Sequence, residues 1–353
     1  AMALATPTKT ANPAPETVAN ANRHAVNLPP LRDARKIQRS SPVSAHKISF
    51  AAFLVGTIYA SAKSNNTAAE RAHKVSSYLA RALQAIGDST PIRSQTRVSG
   101  GCISEATCVL TDRGRYFLKT HHHDFFHAEA HGLTLLRGTN TLGVPEVLAV
   151  ESDFLLLEWI PHHGGLDAEK LGSNLAAMHR THRPNYGLER DNYIGANPQK
   201  NHFEVNWVTF FGLHRLKSQA LLAVDQGRWS ASRDKRLERL LARLGDILPS
   251  HPVSSLLHGD LWSGNVMGSE QGEPYVIDPA VYFGDRETDI AFSRLFGGFP
   301  AAFYEAYEHA WPLESGWRER EEIYNLYHLL NHLNLFGEGY GSAVDRILTT
   351  YGT

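Results

Sequence analysis

The alternation of apolar and polar residues divides this chain into a short strand-rich part and a longer helical part. Residues 67–86 place apolar side chains at helical spacing, and Gly87 is typical of a helix end. Residues 91–119 are then predicted to form two strand stretches with a glycine turn near Ser99 between them, and the second stretch contains a hairpin turn at 112–114. This part of the pattern predicts one helix followed by antiparallel strands.

The remaining pattern predicts a second, mostly helical part. The next predicted elements are a helix at about 125–137, strands at 146–150 and 154–159, and, after the glycines at 164–165, helices with strand-like sequence only at 256–258, 266–267 and 275–277. We therefore expect an α+β fold with two lobes. The N-lobe spans 67–160 and the C-lobe 161–353, with the hinge near 158–165.

The first 66 residues differ in composition from the rest of the chain. Residues 1–45 are rich in Ala, Thr, Asn, Pro and Ser and are predicted to be disordered, because they cannot bury enough apolar surface to offset their ordering entropy. An apolar run at 48–62 is too short and too mixed for a membrane span. Two interpretations of this basic leader stay open: a targeting segment for a plastid or mitochondrion, or an unstructured extension that carries no targeting signal.

Composition and charge exclude several classes of protein. The net charge of −1 does not indicate binding to nucleic acid or to an anionic membrane surface. Only two cysteines occur, Cys102 and Cys108, which argues against a disulfide-rich secreted protein. We expect a reducing compartment: the cytoplasm, or an organelle if the leader is a transit peptide.

The strongest motif combines a polar loop with a carboxylate at the end of a later strand. It comprises His258, Gly259, Asp260, Leu261, Trp262, Ser263, Gly264 and Asn265, followed by Asp278 and Pro279. Phosphoryl transfer needs a group that accepts the proton of the attacking hydroxyl, and oxygen ligands for Mg²⁺. Asp260 supplies the first, and Asn265 and Asp278 supply the second once the strands at 266–267 and 275–277 pair. The alternative is that Asp260 and Asn265 only cap a turn.

Two upstream features fit the same chemistry. Lys119 ends an apolar strand, and Glu129 follows within a predicted helix, so that the pair can present a cation to ATP phosphates. Gly100 and Gly101 lie in a turn between strands, where backbone N–H groups can approach a phosphate closely. Taken alone, the lysine reads as a surface residue and the glycines as a tight turn.

Together these residues resemble the fructosamine/ketosamine 3-kinase family. That family belongs to the aminoglycoside- and choline-kinase-like branch of the protein-kinase-like fold. The likeness rests on the loop at 258–265, the Asp278-Pro279-Ala280 run and segments near Gly100, Lys119, Glu129, Trp159, His179, Trp207 and Asn331, and it covers roughly residues 68–351. The glycine turn departs from the family pattern, since Ser99 and Ser104 stand where the family often has Gly and Asn.

The resemblance implies an ATP- and Mg²⁺-dependent enzyme. The implied roles are Asp260 as catalytic base, Asn265 and Asp278 as Mg²⁺ ligands, Lys119 with Glu129 at the ATP phosphates, Gly100, Gly101 and Cys102 over the phosphates, Glu158, Trp159 and Ile160 at the adenine, and Trp262 in the sugar pocket. The implied substrates are ketosamines, free or on protein lysines. Phosphorylation of their O3 hydroxyl destabilises the adduct, and this leads to deglycation.

Two other functions remain open at this point. One is a kinase of the same fold that acts on another small alcohol or amino sugar, such as choline or an aminoglycoside. The other is a non-catalytic pseudokinase that serves as a binding module. The presence of Lys119, Asp260, Asn265 and Asp278 favours a catalyst, and a panel of phosphate acceptors separates the two kinases.

The cysteines, histidines and remaining acids have less specific signals. The resemblance implies a redox-active Cys102 that links a homodimer by an intermolecular disulfide; the alternative is an unreactive loop thiol. Cys108 is predicted to be a small buried residue. The run at 121–123 and His127 lack the ligand spacing of a zinc site. His328 and His332 are predicted at the edge of the core, and Asp289 is predicted to hold the backbone of the catalytic loop.

Overall fold

The computed structural model describes residues 68–98, 104–121, 125–162 and 165–353, and it describes side chains from residue 76 onward within these ranges. The predictions for the leader at 1–66 and for Gly100, Gly101 and Cys102 lie outside the described residues. The same holds for His122 and His123. Within the described ranges, no helix is both long enough and apolar enough to cross a membrane.

A five-stranded antiparallel sheet forms the N-lobe. Its elements are α1 (Ala68–Ala85), β1 (Ile92–Val98), β2 (Glu105–Thr111), β3 (Arg115–Thr120), α2 (Phe126–Arg137), β4 (Val147–Val150) and β5 (Phe154–Glu158). The strands lie in the order β1-β2-β3-β5-β4. Lys119 on β3 faces Ala106 on β2 and Leu155 on β5, so the lysine lies in the middle of the sheet and not at its edge.

Helix α1 covers one face of this sheet. Leu79, Ala82 and Leu83, three members of the predicted apolar stripe, are buried against Val109 and Leu156 of the strands. Burying a leucine side chain contributes about 1.5–3 kcal/mol. The opposite face of the sheet is therefore left to line the cleft between the lobes.

The C-lobe is mostly helical. Its elements are α3 (Ala168–His179), β6 (Asn192–Ile194), β7 (Asn197–Gln199), α4 (Trp207–Phe210), a π-helix (Phe211–Lys217), α5 (Ser218–Asp225), α6 (Ala231–Ile247), β8 (Ser254–Leu257), a 3₁₀ turn (Ser263–Asn265), β9 (Val266–Gly268), β10 (Pro274–Val276), β11 (Tyr282–Asp285), α7 (Glu287–Leu295), α8 (Ala301–Ala310), α9 (Trp317–Phe336), a 3₁₀ turn (Glu338–Tyr340) and α10 (Gly341–Tyr351). Three two-stranded antiparallel sheets pair β6 with β7, β8 with β11, and β9 with β10.

One continuous hydrophobic cluster joins the two lobes. Leu133 of α2 and Leu157 of β5 pack in the same cluster as Leu175 of α3 and Leu256 and Val281 of the C-lobe. A shared core of this kind limits how freely one lobe can rotate on the other. The residues that line the cleft are consequently held in a defined geometry from both sides.

Most predicted elements are present with ends shifted by one or a few residues, and one prediction is wrong. Strand-like structure in the C-lobe is not confined to the three predicted segments, because β6, β7 and β11 also form. Each is only three or four residues long, and strands this short carry too few residues for a period-2 pattern to stand out. Helix α1 ends at Ala85, and Gly87, the predicted helix end, follows it with φ of +64°.

Candidate active site

The predicted catalytic loop follows β8 and brings Asp260 and Asn265 into contact. The Asn265 Nδ2 group donates to the Asp260 carboxylate Oδ2 at 2.9 Å and to the Asp260 backbone oxygen at 2.9 Å. The 3₁₀ turn between them is closed by a bond from the Asn265 N–H to the Trp262 oxygen at 3.0 Å. The amide thereby fixes the Asp260 carboxylate and leaves its own Oδ1 for another partner.

The loop is tied to the core by a buried carboxylate, as predicted for Asp289. Asp289 Oδ2 accepts from the His258 N–H at 2.7 Å and Oδ1 accepts from the Gly259 N–H at 2.9 Å. His179 adds a contact to Oδ2 at 3.2 Å, and its other ring nitrogen lies 2.8 Å from the Tyr307 hydroxyl. Charge-assisted bonds of this kind are about twice as strong as neutral ones.

His258 and Gly259 shape the turn itself. His258 is buried; its Nε2–H donates to the Ile277 oxygen at 3.0 Å, and its Nδ1 accepts from the Asp260 N–H at 3.3 Å. Gly259 has φ of +80°, and a Cβ there would lie 2.0 Å from the Ala280 oxygen. Only glycine fits such a position, which explains the His-Gly prefix of the motif.

Asp278 returns to the loop through the β9–β10 hairpin. Val276 pairs with Val266, and the Ile277 N–H donates to the Asn265 oxygen at 3.0 Å. Asp278 itself adopts the left-handed region, with φ of 54°. Non-glycine residues in this region often mark functional sites, and Asp is one of the few types that tolerate it.

Lys119 connects this carboxylate to the N-lobe. Its Nζ lies 2.7 Å from Glu129 Oε1 and 2.8 Å from Asp278 Oδ1, so the predicted Lys119–Glu129 pair is present. Burial lowers the pKa of Lys119, but the two carboxylates outweigh burial and hold the pKa above its ordinary value. The lysine therefore stays a cation at the centre of the cleft.

Helix α2, which carries Glu129, is packed directly on the segment after Asp278. A Cβ on Gly132 would lie 3.3 Å from Pro279 and 3.3 Å from Val281, so glycine permits the close approach of helix and strand. His131 of the same helix contacts Glu189 of the C-lobe, with Nε2 and Oε1 at 3.0 Å. Both contacts hold Glu129 at a fixed height above the catalytic loop.

The predicted catalytic, nucleotide, metal and sugar-pocket residues that the structure describes all line one cavity of about 590 Å³ between the lobes. Its apolar slot is formed by Val98, Ala106 and Leu157 from the N-lobe sheet and by Met267 and Ile277 from the C-lobe. Glu158, Trp159 and Ile160, the predicted hinge residues, border this slot. A flat aromatic base fits between two such apolar walls.

The other end of the cavity is polar and aromatic. Trp262, which the resemblance assigns to the sugar pocket, lines the cavity. Sequence reasoning assigned no site role to the other residues at this end, which are Asn192, Tyr193, Asn331, His332 and Phe336. Asn192 and Tyr193 lie on the missed strand β6, and the other three lie on α9, so only the tertiary fold brings them into the same cavity as Asp260.

Burial sets the proton affinity of the proposed base. Desolvation raises the pKa of Asp260 to about 7; the Asn265 hydrogen bond opposes this, and the charges of Asp278 and Asp289 add to it. A carboxylate with a pKa near neutrality is a better proton acceptor than an ordinary surface aspartate.

The residues present fit a Mg²⁺ ion and a nucleoside triphosphate. Asn265 Oδ1 and one oxygen of Asp278 remain after the hydrogen bonds above, and carboxylate and amide oxygens are the ligand types that Mg²⁺ prefers. Among the described groups of His, Cys, Asp and Glu there is no ready-made cluster of three ligands.

The glycine turn at Gly100, Gly101 and Cys102 lies outside the described residues, so its predicted position over the phosphates stays a prediction.

Cys108 is a free cysteine and is half-buried on β2. The prediction that it is a buried residue is only partly met, because its strand lies next to the exposed β1. His328 is buried against Phe292, with ring centroids 3.6 Å apart.

Comparisons with known proteins agree with this geometry. The sequence profile of the fructosamine kinase family matches residues 74–352. The Enterococcus faecium protein named "Probable ketoamine kinase" is 44% identical over 262 residues, which are 72% of this chain and 94% of that protein. The rice (Oryza sativa subsp. indica) "Protein-ribulosamine 3-kinase, chloroplastic" is 37% identical over 277 residues, 75% of this chain and 80% of that protein.

Solved structures extend the likeness to three dimensions. The crystal structure of a candidate fructosamine-3-kinase from Haemophilus somnus matches with a TM-score of 0.72 and 29% identity, over 78% of this chain and 97% of that chain. A choline kinase from Streptococcus pneumoniae matches with a TM-score of 0.58 and 17% identity, over 79% and 100%, which is a likeness of fold alone. The two-lobed, protein-kinase-like α+β prediction is confirmed, and the chain belongs to the fructosamine kinase family.

Proposed function

We propose that this protein is an ATP-dependent ketosamine 3-kinase, which transfers the γ-phosphoryl group of ATP to the O3 hydroxyl of a fructosamine or ribulosamine. The acceptor is free or is carried on a protein lysine. The observation that carries the proposal is the convergence of Asp260, Asn265, Asp278 and Lys119 on one cleft. Phosphate at C3 is a leaving group next to the C2 carbonyl, so the product breaks down and releases the amine.

In this proposal each side chain has a defined task. Asp260, held by Asn265, accepts the proton of the O3 hydroxyl as the oxygen attacks the γ-phosphorus and the bond to the β-phosphate oxygen breaks. Lys119 binds the α- and β-phosphates and is kept in place by Glu129. Bound Mg²⁺, held by Asn265 and Asp278, supplies charge neutralisation on the phosphates.

Further contacts position the two substrates. The backbone of Glu158, Trp159 and Ile160 meets the adenine, and the N–H groups of Gly100, Gly101 and Cys102 cover the phosphates. Trp262 packs against the sugar, where an aromatic face suits the C–H surface of a polyol. The shared hydrophobic core of the lobes keeps O3 and the γ-phosphate in line, which is the main contribution that a kinase makes.

The test is ADP release coupled to a reporter reaction, with ribulosamine, fructosamine and choline compared side by side. Turnover with a ketosamine and none with choline is expected. Asp260→Asn should lower kcat by roughly 10²–10⁴ and keep the Mg-ATP thermal shift, whereas Asp225→Asn, at an exposed position in α5, should match the wild type. Turnover by Asp260→Asn equal to that of the wild type would contradict the assignment of Asp260 as the catalytic base. A preference for choline over both ketosamines would contradict the proposal that a ketosamine is the substrate.

Two finer statements also belong to the proposal. Cys102 is proposed to form a redox-sensitive disulfide between two copies of the chain, which a non-reducing gel of wild type and Cys102→Ser tests. Residues 1–66 are proposed as a leader that sends the enzyme to a plastid or mitochondrion, in line with the chloroplastic rice relative. A fluorescent fusion to residues 1–66 would stay cytoplasmic if this is wrong.

A further inference from the structure

Asn331 of α9 is a buried amide in the wall of the active-site cavity. Its side chain is 2% exposed, and it lines the cavity together with Asp260 and Trp262. An amide that is almost completely buried normally has its donor and its acceptor satisfied by the protein. The partners of its two arms therefore indicate what the cavity is built to hold.

The hydrogen bonds fix which arm of Asn331 points where. Asn197 Nδ2 donates to Asn331 Oδ1 at 2.8 Å and to the Asn331 backbone oxygen at 3.4 Å. Because a backbone oxygen can only accept, the arm of Asn197 at this point must be its nitrogen, and the facing arm of Asn331 must be its oxygen. The Nδ2 group of Asn331 is then the arm directed away from Asn197.

That Nδ2 group forms no hydrogen bond with any residue in the described ranges, and it is not among the polar atoms there that protein encloses completely. The neighbouring amide of Asn192 shows the contrast. Its Nδ2 donates to the Val281 oxygen at 2.8 Å, and its Oδ1 accepts from Gln199 at 2.8 Å and Asn201 at 2.7 Å. Both arms of Asn192 are used within the fold, whereas Asn331 keeps one donor for the cavity.

The position along α9 places this donor in the cavity that Asp260 also lines. Tyr327 lies one helical turn before Asn331 and so on the same face of the helix. Burial above all raises the pKa of Tyr327, and the Asp260 carboxylate adds to the rise. The face of α9 that carries Tyr327 and Asn331 thus lies within electrostatic reach of Asp260.

We infer that Asn331 is a specificity-determining residue whose Nδ2 group donates a hydrogen bond to a hydroxyl of the acceptor's sugar chain other than O3. This inference rests on the proposed function. A polyol offers such a second hydroxyl, whereas choline has a single hydroxyl, and that one is the site of transfer. A buried donor that an acceptor cannot satisfy penalises the acceptor that lacks the partner group, so this amide selects polyols over simple alcohols.

The experiment combines two variants with a series of deoxy acceptors. Asn331→Leu has a similar volume and removes the donor. Asn197→Ala is the matched control: it removes the bond between the two amides and keeps the donor of Asn331. Each protein is assayed with ribulosamine and with its singly deoxygenated analogues that retain O3, and kcat/KM for the acceptor and KM for ATP are recorded.

For the wild type, removal of one particular hydroxyl should lower kcat/KM roughly 10-fold, the value of one satisfied hydrogen bond. Asn331→Leu should show the same loss with ribulosamine and no further loss with that analogue, while its KM for ATP stays within about twofold. Asn197→Ala should stay sensitive to the same analogue, which a purely structural role of Asn331 would not produce.

Two results would overturn the inference while leaving the proposed function intact. One is a wild type whose kcat/KM is the same for every deoxy analogue as for ribulosamine. This measurement uses the wild type alone, so it can be made even if Asn331→Leu fails to fold. The other is an Asn331→Leu protein that remains as sensitive to the deoxy analogue as the wild type. A wild type without any turnover on ketosamines would overturn both proposals.

Discussion

Replacement of Asp289 by Asn tests how the catalytic loop is held. The carboxylate accepts from two successive backbone N–H groups, those of His258 and Gly259, at 2.7 and 2.9 Å, and contacts His179 at 3.2 Å. Asp289 is 1% exposed, so water cannot replace any of these partners. An amide keeps one oxygen and must turn its NH₂ group toward a buried donor.

The magnitude follows from the contacts that are lost. One charge-assisted bond to a backbone N–H contributes about 1.5–3 kcal/mol, and a buried donor left without an acceptor costs a further 1–3 kcal/mol. We expect Asp289→Asn to lower the free energy of unfolding by about 3–5 kcal/mol, the range seen when one partner of a buried charged pair is removed. Since Asp260 follows the two N–H groups directly, kcat should fall about 100-fold.

Urea unfolding followed by tryptophan fluorescence, together with kcat at saturating substrate, measures both effects. The control is Asp112→Asn, because Asp112 accepts from Arg93 at 2.7 Å and both side chains of this pair are exposed. An exposed pair of this kind contributes less than about 1 kcal/mol. If Asp289→Asn unfolded within 1 kcal/mol of the wild type and kept its kcat, the loop would not depend on this carboxylate.

Two further predictions concern the cleft cation and the buried histidines. Lys119→Met should raise KM for ATP, lower kcat at least 10-fold and abolish the Mg-ATP thermal shift. The control Lys170→Met breaks an exposed pair with Glu273 and should leave KM for ATP and kcat within about twofold of the wild type. Equal effects of the two substitutions would refute the assignment of Lys119 to the ATP phosphates. Burial holds the pKa of His328 well below 6.5. Below pH 6.5 the unfolded chain therefore binds a proton at this histidine that the folded protein does not bind. The free energy of unfolding falls as the pH drops, by about 1.4 kcal/mol per pH unit for this one group. His328→Leu should reduce that slope between pH 6.5 and 5 in urea unfolding, and an unchanged slope would show that other groups dominate.

The elements of the N-lobe were predictable because their signals are local. The stripe Leu79, Ala82 and Leu83 has helical spacing within one segment, and the strands around Lys119, seven and six residues long, are rich in β-branched, aliphatic and aromatic side chains. Gly87, with φ of +64°, follows the end of α1 where the sequence predicts a helix end. In each case the determinant is the periodicity or backbone freedom of neighbouring residues, which needs no knowledge of the rest of the fold.

The identities of Asp260, Asn265, Asp278, Lys119 and Glu129 as a set were also readable from the sequence. Their types match one chemistry, and their spacing allows a loop, a hairpin and a strand–helix pair to bring them together. The sequence could not supply the distances, the left-handed backbone of Asp278, or the fact that Lys119 contacts both carboxylates.

The acceptor end of the cleft was decided by the tertiary structure alone. Asn192 and Asn331 are 139 positions apart, lie on a three-residue strand and a long helix, and follow no motif that distinguishes them from ordinary core amides. The two amides differ in whether the protein supplies a hydrogen-bond partner for both the NH₂ group and the oxygen of the side chain. That depends on long-range packing, because a hydrogen bond is satisfied by whichever group the fold places within 3 Å, and no local pattern in the sequence records it.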